Sequence, residues 1–409
     1  MNILLITEYF PPEIGAGSIR AFENSRRWVE NGVNVTVITG FPDYPDGIIP
    51  LKYKGFKFYT EEIDGINVIR TFTIPAPNKG FFRRVLSFFS FLFSSVIQGT
   101  WASGKQDILI ATSPPFFVGI AGYLISRLKG IPFIFEIRDL WPESIIQLGQ
   151  LKNKIIIKML ESGEKFLYKK SSHLITVANS TVEVLIKKGV RKNKITVIKN
   201  GFNSKDIALK KINLDLKKEL GLIEKFVVTY IGTIGLSHSI DTIIKAAKML
   251  ETQKKINFLI IGDGAERDNV IKLTHLYNLS NVIFIKKINR EEIADFYSIS
   301  DILLVTLKNL PLFKKVIPSK IFEIMAFSKP ILISVDGEAR NIVEEAKAGI
   351  FINPEDPSDL KKNILILMEN DILRQKLSSN GKIFVEKFYN RENLADNYLS
   401  LLYSLLNNK

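Results

Sequence analysis

Apolar runs of strand length alternate with helical stretches along this chain, and the alternation runs through twice. In the first half "NILLIT", "NVTVIT", "INVIRTF", "DILIAT", "IPFIFEIRD", "HLITVAN" and "ITVIKNG" are separated by segments such as residues 17–31 and 116–129. Crossover helices between such runs predict a mostly parallel sheet covered on both faces. The rhythm then restarts with "FVVTYIG", "INFLIIGDG", "NVIFIKKI", "DILLVTL", "PILISVDG" and "AGIFINPED", alternating with helices at 239–251, 265–277, 290–299, 319–328 and 338–347. Two such systems predict two doubly wound α/β domains, and 409 residues leave room for a core in each. The lysine-rich stretch 203–225 marks the boundary, giving domains over 1–202 and 203–388. Residues 356–409 are helical in pattern, and 389–409 is expected to cross back to the first domain.

Ligands of open α/β sheets bind outside the carboxyl ends of the strands, so the loops there are the place to look. After the first strand, "PPEIGAGSIR" supplies Gly15 and Gly17, which let backbone amides approach an anion, and Arg20 on the next helix. It is not the dinucleotide fingerprint, because Arg20 takes the third glycine position. After "IPFIFEI", the loop "RDLWPES" clusters Arg138, Asp139, Trp141 and Glu143, a cation with two acceptors or general bases and a flat apolar surface. An Arg138–Asp139 ion pair and an anchoring tryptophan account for the same residues structurally. In the second half, Gly232, Thr233 and Gly235 end one strand, and Gly262, Gly264 and Arg267 end another.

The stretch "VIPSKIFEIMAFSKPI" adds Glu323 to that rim. Pro318 and Ser319 read as a helix start, with Ser319 able to accept a hydrogen bond from a first-turn amide, and Lys320 follows at once. A carboxylate and a lysine near a helix end whose amides attract anions fit a ligand bearing both hydroxyls and phosphates. The plain alternative is a glutamate on a solvated face.

Charge and composition narrow the chemistry. The net charge of +14 favours an anionic partner, whether nucleic acid, membrane surface or phosphorylated substrate. With no cysteine and three dispersed histidines (His173, His238, His275), thiolate zinc sites are excluded, and no metal or cofactor is expected. The start "MNILLITEYFPP" reads as a buried strand rather than a signal peptide, which points to the cytoplasm. Residues 81–104 carry no charge after Arg84 and are dense in phenylalanine, but serines interrupt them too often for a comfortable membrane span. They are expected to form a helix that packs into the core or lies in the bilayer interface, with Lys79, Arg83 and Arg84 at lipid phosphates.

Taken in order, "FPPEIGAGSIR", "VITGFPDYPDG", "DGINVIR", "IRDLWPES", "IKNGFN", "YIGTIG", "IGDGAER" and "PSKIFEIMAFSKPI" resemble the family 4 retaining glycosyltransferases, most closely the WbuB-like branch that builds O-antigen and capsule sugars. The resemblance spans nearly the whole chain. It implies a GT-B fold, two Rossmann-like domains facing a cleft, with a UDP-sugar held by the second domain and no required metal. It further implies that Glu323 accepts hydrogen bonds from the ribose hydroxyls, that Lys320 and its helix start neutralise the diphosphate, and that Gly15–Gly17 close over it. Two departures stand out. Lys315 replaces an acid found in many relatives eight positions before Glu323, and Thr233 and His238 replace an arginine and a lysine after the first strand of the second domain. Diphosphate neutralisation then leans on Lys320, Arg267 and Arg20.

The implied reaction is retaining transfer through a loose ion-pair transition state, in which the leaving phosphate helps to take the acceptor proton. Asp139, beside Arg138, is the candidate for orienting the acceptor hydroxyl. Charge and the 81–104 segment together suggest a polyprenyl-diphosphate-linked sugar as acceptor, at the inner face of the cell membrane, in surface polysaccharide or lipopolysaccharide assembly. An N-acetylated deoxyhexosamine is among the donors considered. A UDP-sugar epimerase on the same scaffold is the rival reading. A nucleic-acid partner is suggested by charge alone, and no recognisable binding module supports it.

Overall fold

The computed structural model describes residues 1–13, 15–77, 81–147, 149, 151–202 and 212–407. They form two compact units, Met1–Asn200 with Arg391–Lys409, and Gly201–Asn390.

The amino-terminal unit is built on strands β1 (Asn2–Ile6), β2 (Asn34–Gly40), β3 (Phe58–Ile63), β4 (Ile66–Thr71), β5 (Ile108–Ser113), β6 (Phe133–Ile137), β7 (His173–Thr176) and β8 (Ile195–Val197). Among the described residues they form one sheet in the order β3-β4-β2-β1-β5-β6-β7-β8. All its pairs are parallel except the β3–β4 hairpin. Of that hairpin β4 is the expected run "INVIRTF", whereas β3 lies outside the expected strands, because it alternates exposed and half-buried positions instead of forming an apolar run. The order reverses between β1 and β5, and there the loops diverge and leave room for ligands.

Both faces of the sheet are covered. On one, Phe91 of α2 (Phe81–Ser94), Phe117 and Ile125 of α3 (Phe116–Lys129) and Leu167 of α4 (Lys154–Lys170) share a core with Leu4 and Leu109. On the other, Trp28 of α1 (Ala16–Glu30) packs with Tyr398 and Leu402 of the carboxyl-terminal helix (Arg391–Asn407). Trp28 Nε1 donates to the Ala395 carbonyl at 3.0 Å, and its ring meets Tyr398 edge-on at 5.2 Å. Burying a large apolar side chain stabilises by about 1.5–3 kcal/mol. The half-exposed Arg27–Asp396 pair, at 2.8 Å, belongs to a class worth about 0–1 kcal/mol, so the apolar seam holds this returning helix in place.

In the segment read as core or interfacial, α2 continues through a π-type turn, Ser95–Gly99. Two serines that interrupt its apolar run fasten it to the chain after β4: Ser90 Oγ accepts from Ile74 N at 2.8 Å, and Ser94 Oγ donates to the Phe72 carbonyl at 2.6 Å. Among the described residues, Arg83–Ala102 is the one helix long and apolar enough to cross a membrane, and 33% of its most apolar stretch is buried within the unit. Lys79 lies outside the described residues.

The carboxyl-terminal unit carries β9 (Phe226–Ile231), β10 (Ile256–Ile261), β11 (Val282–Ile285), β12 (Ile302–Thr306), β13 (Ile331–Ser334) and β14 (Gly349–Phe351). Their order is β11-β10-β9-β12-β13-β14, every pair is parallel, and the switch point falls between β9 and β12. Helices α5 (Ile240–Met249), α6 (Arg267–Leu276) and α7 (Lys320–Ala326) follow the carboxyl ends of β9, β10 and β12. Phe258, Ile243 and Ile364 sit at the centre of the core on one face.

Candidate functional site

The strand-end glycines of the carboxyl-terminal unit are required by backbone-on-backbone packing. Gly262 has φ +144°, and a Cβ there would stand 1.9 Å from the Gly232 carbonyl oxygen; at Gly264, φ +152°, it would stand 2.5 Å from the Ile234 oxygen. Hydrogen bonds lock the two loops together, Ile234 N donating to Asp263 O at 2.8 Å and Glu266 N to Ile234 O at 2.9 Å. The result is a two-loop shelf above β9 and β10.

Lys320 crosses this shelf. A Cβ at Gly232 would lie 2.5 Å from Lys320 Nζ, so the glycine makes space for the ammonium. The ammonium sits 4.0 Å from the centroid of the Tyr230 ring, while the Tyr230 hydroxyl donates to the Thr233 carbonyl at 2.7 Å. Among the described residues no hydrogen bond is made by this ammonium. Burial pushes its pKa down to about 7, and the Glu323 carboxylate one turn on pulls the other way. His238, held by its own backbone bond to Gly235 O at 3.0 Å and by Thr306 Oγ1 donating to its carbonyl at 2.6 Å, closes one side. Its pKa falls to about 4, first through burial and then through the charge of Lys320. Glu323 is half-buried, and its charge raises the pKa of buried Tyr297 in addition to the dominant effect of burial. Gly232, His238, Lys320 and Glu323 are thus brought together, with Thr233 exposed at the loop tip. Arg267 opens α6 beside Gly264, and its buried Nε has no hydrogen-bond partner among the described residues.

Ser319 departs from the expected cap. Its backbone is already helical (φ −58°, ψ −26°) and its side chain accepts no cap hydrogen bond; Ile321 N and Phe322 N turn instead to the carbonyls of Pro318 and Ser319. A short turn that tightens on its own carbonyls has no need of a capping hydroxyl. Lys315 is exposed on the 3₁₀ turn Phe313–Lys315.

In the amino-terminal unit, a Cβ at Gly17 would lie 1.9 Å from Arg138 Nη1, so the Arg138 guanidinium rests on the first turn of α1. Arg138 Nη2 donates to the Pro114 carbonyl at 3.1 Å, while its buried Nε has no partner among the described residues. Burial lowers its pKa, opposed by Glu136 and Asp139. Asp139 is exposed beside it, and the Arg138 guanidinium favours its charged form. Gly15 precedes α1 in extended conformation, with nothing within 4 Å of where its Cβ would be.

Two expected ligand contacts are committed elsewhere. Arg20 points inward, donating to Glu136 at 3.0 and 3.2 Å, to the carbonyls of Ile198 and Lys199 at 2.9 Å, and to Asn200 Oδ1 at 3.1 Å. It is 5% exposed, so the expectation that it neutralises a diphosphate is corrected: its charge answers a buried carboxylate. Burial tends to raise the pKa of Glu136, and Arg20 outweighs it, leaving the carboxylate below its usual range. Glu143 Oε1 is held by Lys188, which also donates to buried Glu164 at 2.6 Å, so this acid is tied into a bracing ion-pair cluster of the loop in place of the expected substrate contact. Trp141 stacks on Phe116 at 5.2 Å and anchors the same loop.

A group that sequence reasoning missed lies at the carboxyl end of β1. Glu8 and Glu13 are buried, and Glu13 Oε1 accepts from Asp43 N and Tyr44 N at 3.1 and 3.0 Å. Burial raises both, Glu13 to about 7. Acids directly after an apolar strand were the available signal. Among the described residues no group of three or more His, Asp or Glu side chains could hold a metal ion.

Residues 18–206 match glycosyltransferase family 4 and residues 213–384 match the glycosyl transferases group 1 family. The chain is 25% identical, over 70% of its length and 74% of the relative's, to the N,N'-diacetylbacillosaminyl-diphospho-undecaprenol alpha-1,3-N-acetylgalactosaminyltransferase of Campylobacter jejuni. It is 26% identical to the probable glycosyltransferase WbjE of Pseudomonas aeruginosa, over 74% of this chain and 76% of that one. Among solved structures, sucrose-phosphate synthase of Thermosynechococcus elongatus superposes with a TM-score of 0.78 at 19% identity over 100% of both chains. Anabaena HepE in complex with UDP and glucose follows at 0.74 and 17%, over 99% of this chain and 100% of that one.

Proposed function

We propose, from the premise that this chain is a glycosyltransferase of the GT-B fold with family 4 and group 1 domains, that it transfers a sugar with retention from a UDP-sugar to a polyprenyl-diphosphate-linked saccharide. The carrying observation is the convergence of Lys320, Gly232, His238 and Glu323 at the switch point of the carboxyl-terminal sheet. A half-buried lysine whose ammonium makes no hydrogen bond among the described residues is a cation in want of an anion, and a diphosphate supplies one. Glu323, one helical turn away, is placed in this reading on the ribose hydroxyls, where charge-assisted hydrogen bonds contribute about 1.5–3 kcal/mol each.

The chemistry follows from where charge moves. As the glycosidic bond breaks, negative charge grows on the departing diphosphate, and Lys320 stabilises that state more than the ground state. Arg267, with its unpartnered Nε, is a second cation within the same unit. Asp139 is assigned to orient the acceptor hydroxyl, and the open Gly15 backbone and Arg138 over Gly17 offer donors to an anionic group of the substrate. The acceptor class draws support from the Campylobacter relative, whose name specifies a diphospho-undecaprenol-linked sugar, and the donor class from HepE, solved with UDP. The exposed apolar side of α2 supports a place at the inner membrane surface, and surface polysaccharide assembly is the setting we assign.

Calorimetric titration with UDP tests the reading. Glu323→Ala is expected to weaken UDP binding by about 10-fold or more, and unaltered affinity in the variant would sink the proposed donor site.

A further inference from the structure

Helices α2, α3 and α4 lie on one face of the amino-terminal sheet and share its core, which leaves their outer sides to consider. On α4, Ile155, Met159 and Phe166 are 82%, 65% and 44% exposed, at spacings that align them along the helix. Lys154, Lys158 and Lys165 flank this stripe in the exposed zone, and Glu161 is the one exposed acid of the helix. Phe166 meets Tyr123 of α3 edge-on at 5.0 Å, and on α3 itself Leu124 and Leu128 are 40% and 66% exposed. Beyond α3, Phe93 and Ile97 of the α2 region are 62% and 64% exposed. Exposed apolar side chains on three helices that share one core, set beside exposed lysines, mark an interaction face.

Its charge chooses the partner. A second copy of the chain, meeting this face by two-fold symmetry, would bring the lysines of α4 against themselves. An anionic bilayer does the opposite, taking the apolar stripes at the acyl boundary while the ammonium groups lie among lipid phosphates. We infer that α2, α3 and α4 form a single bilayer-docking face and that α4 supplies most of its positive charge. This rests on the reading that the acceptor is lipid-linked, and extends the membrane contact well beyond residues 81–104. On its inner side, α4 presents Glu164 to Lys188, which also holds Glu143 in the loop of Arg138 and Asp139, so the docking helix braces that loop directly.

Vesicle flotation of the full chain tests the inference, with Ile155→Ser/Met159→Ser and Lys158→Glu/Lys165→Glu as variants. The wild type is expected to float with phosphatidylglycerol-containing vesicles and not with pure phosphatidylcholine, and each double variant to bind about tenfold more weakly. These positions are exposed, and an unchanged thermal unfolding profile of the variants verifies that the fold survives. Equal flotation of wild type and variants, no flotation of the wild type, or a wild-type dimer that the same substitutions dissociate would each overturn the inference. Loss of UDP binding in a wild type that still floats would instead strike the donor reading and leave the docking face standing.

Discussion

Arg20 and Lys320 are both withdrawn from solvent beside a strand end, one in each unit, yet the fold treats them in opposite ways. Arg20 is saturated by Glu136, two main-chain carbonyls and Asn200. Lys320 has an aromatic face beneath it and no hydrogen bond among the described residues, and the loss of water around its ammonium sinks its pKa to about 7. A cation whose donors are all answered holds structure together. One whose donors are left open is destabilised in the empty protein and so is ready for a ligand.

The comparison breaks most visibly at Arg20. Arg20→Met leaves Glu136 buried and unpaired, and should lower unfolding free energy by about 3–5 kcal/mol in a denaturant titration. A loss below about 1 kcal/mol would show that Arg20 is not structural after all.

Lys320→Met should act in reverse, leaving stability unchanged or improved while UDP affinity falls about 10- to 100-fold. The same lysine predicts a pH dependence. Its folded pKa of about 7 lies below its ordinary value of 10.5, so between these values the unfolded chain binds more protons than the folded one. The burial penalty is therefore fully present below pH 7 and is relieved as pH rises toward 10.5. Diphosphate binding should restore the charge, so at pH 8 UDP should bind with net proton uptake, visible as a buffer-dependent heat. Lys320→Met should abolish that uptake, and an identical buffer dependence in the variant would assign the proton elsewhere.

The smallest expected effect lies at Asp139. Asp139→Asn should reduce turnover on the order of tenfold, about 1.4 kcal/mol of barrier, with UDP affinity intact. Unchanged turnover would leave Arg138 and Asp139 with a purely local role in the loop.

Much of this was legible along the chain. The apolar runs named both parallel sheets, since strands covered on two faces show little polar alternation, and only the half-exposed β3 escaped. The strand-end glycines and the Lys320–Glu323 turn were readable because each is a local pattern. The partners of Arg20 were not, because Glu136 lies 116 residues away and nothing in "GAGSIR" reveals it. Glu143 misled for the same reason, its cation Lys188 being 45 residues on. The missed carboxylates Glu8 and Glu13 owe their raised pKa values to burial, which sequence patterning registers for apolar residues and not for acids.

The sequence by itself determined the two doubly wound sheets and the loops where chemistry could gather, because hydrophobic periodicity and glycine placement are written residue by residue. Only the tertiary structure decided which cations remain open, since saturation of a charged group depends on carbonyls and carboxylates brought from distant strands. That is why Arg20 and Lys320, alike as cations drawn in beside strand ends, belong to different parts of the molecule's work.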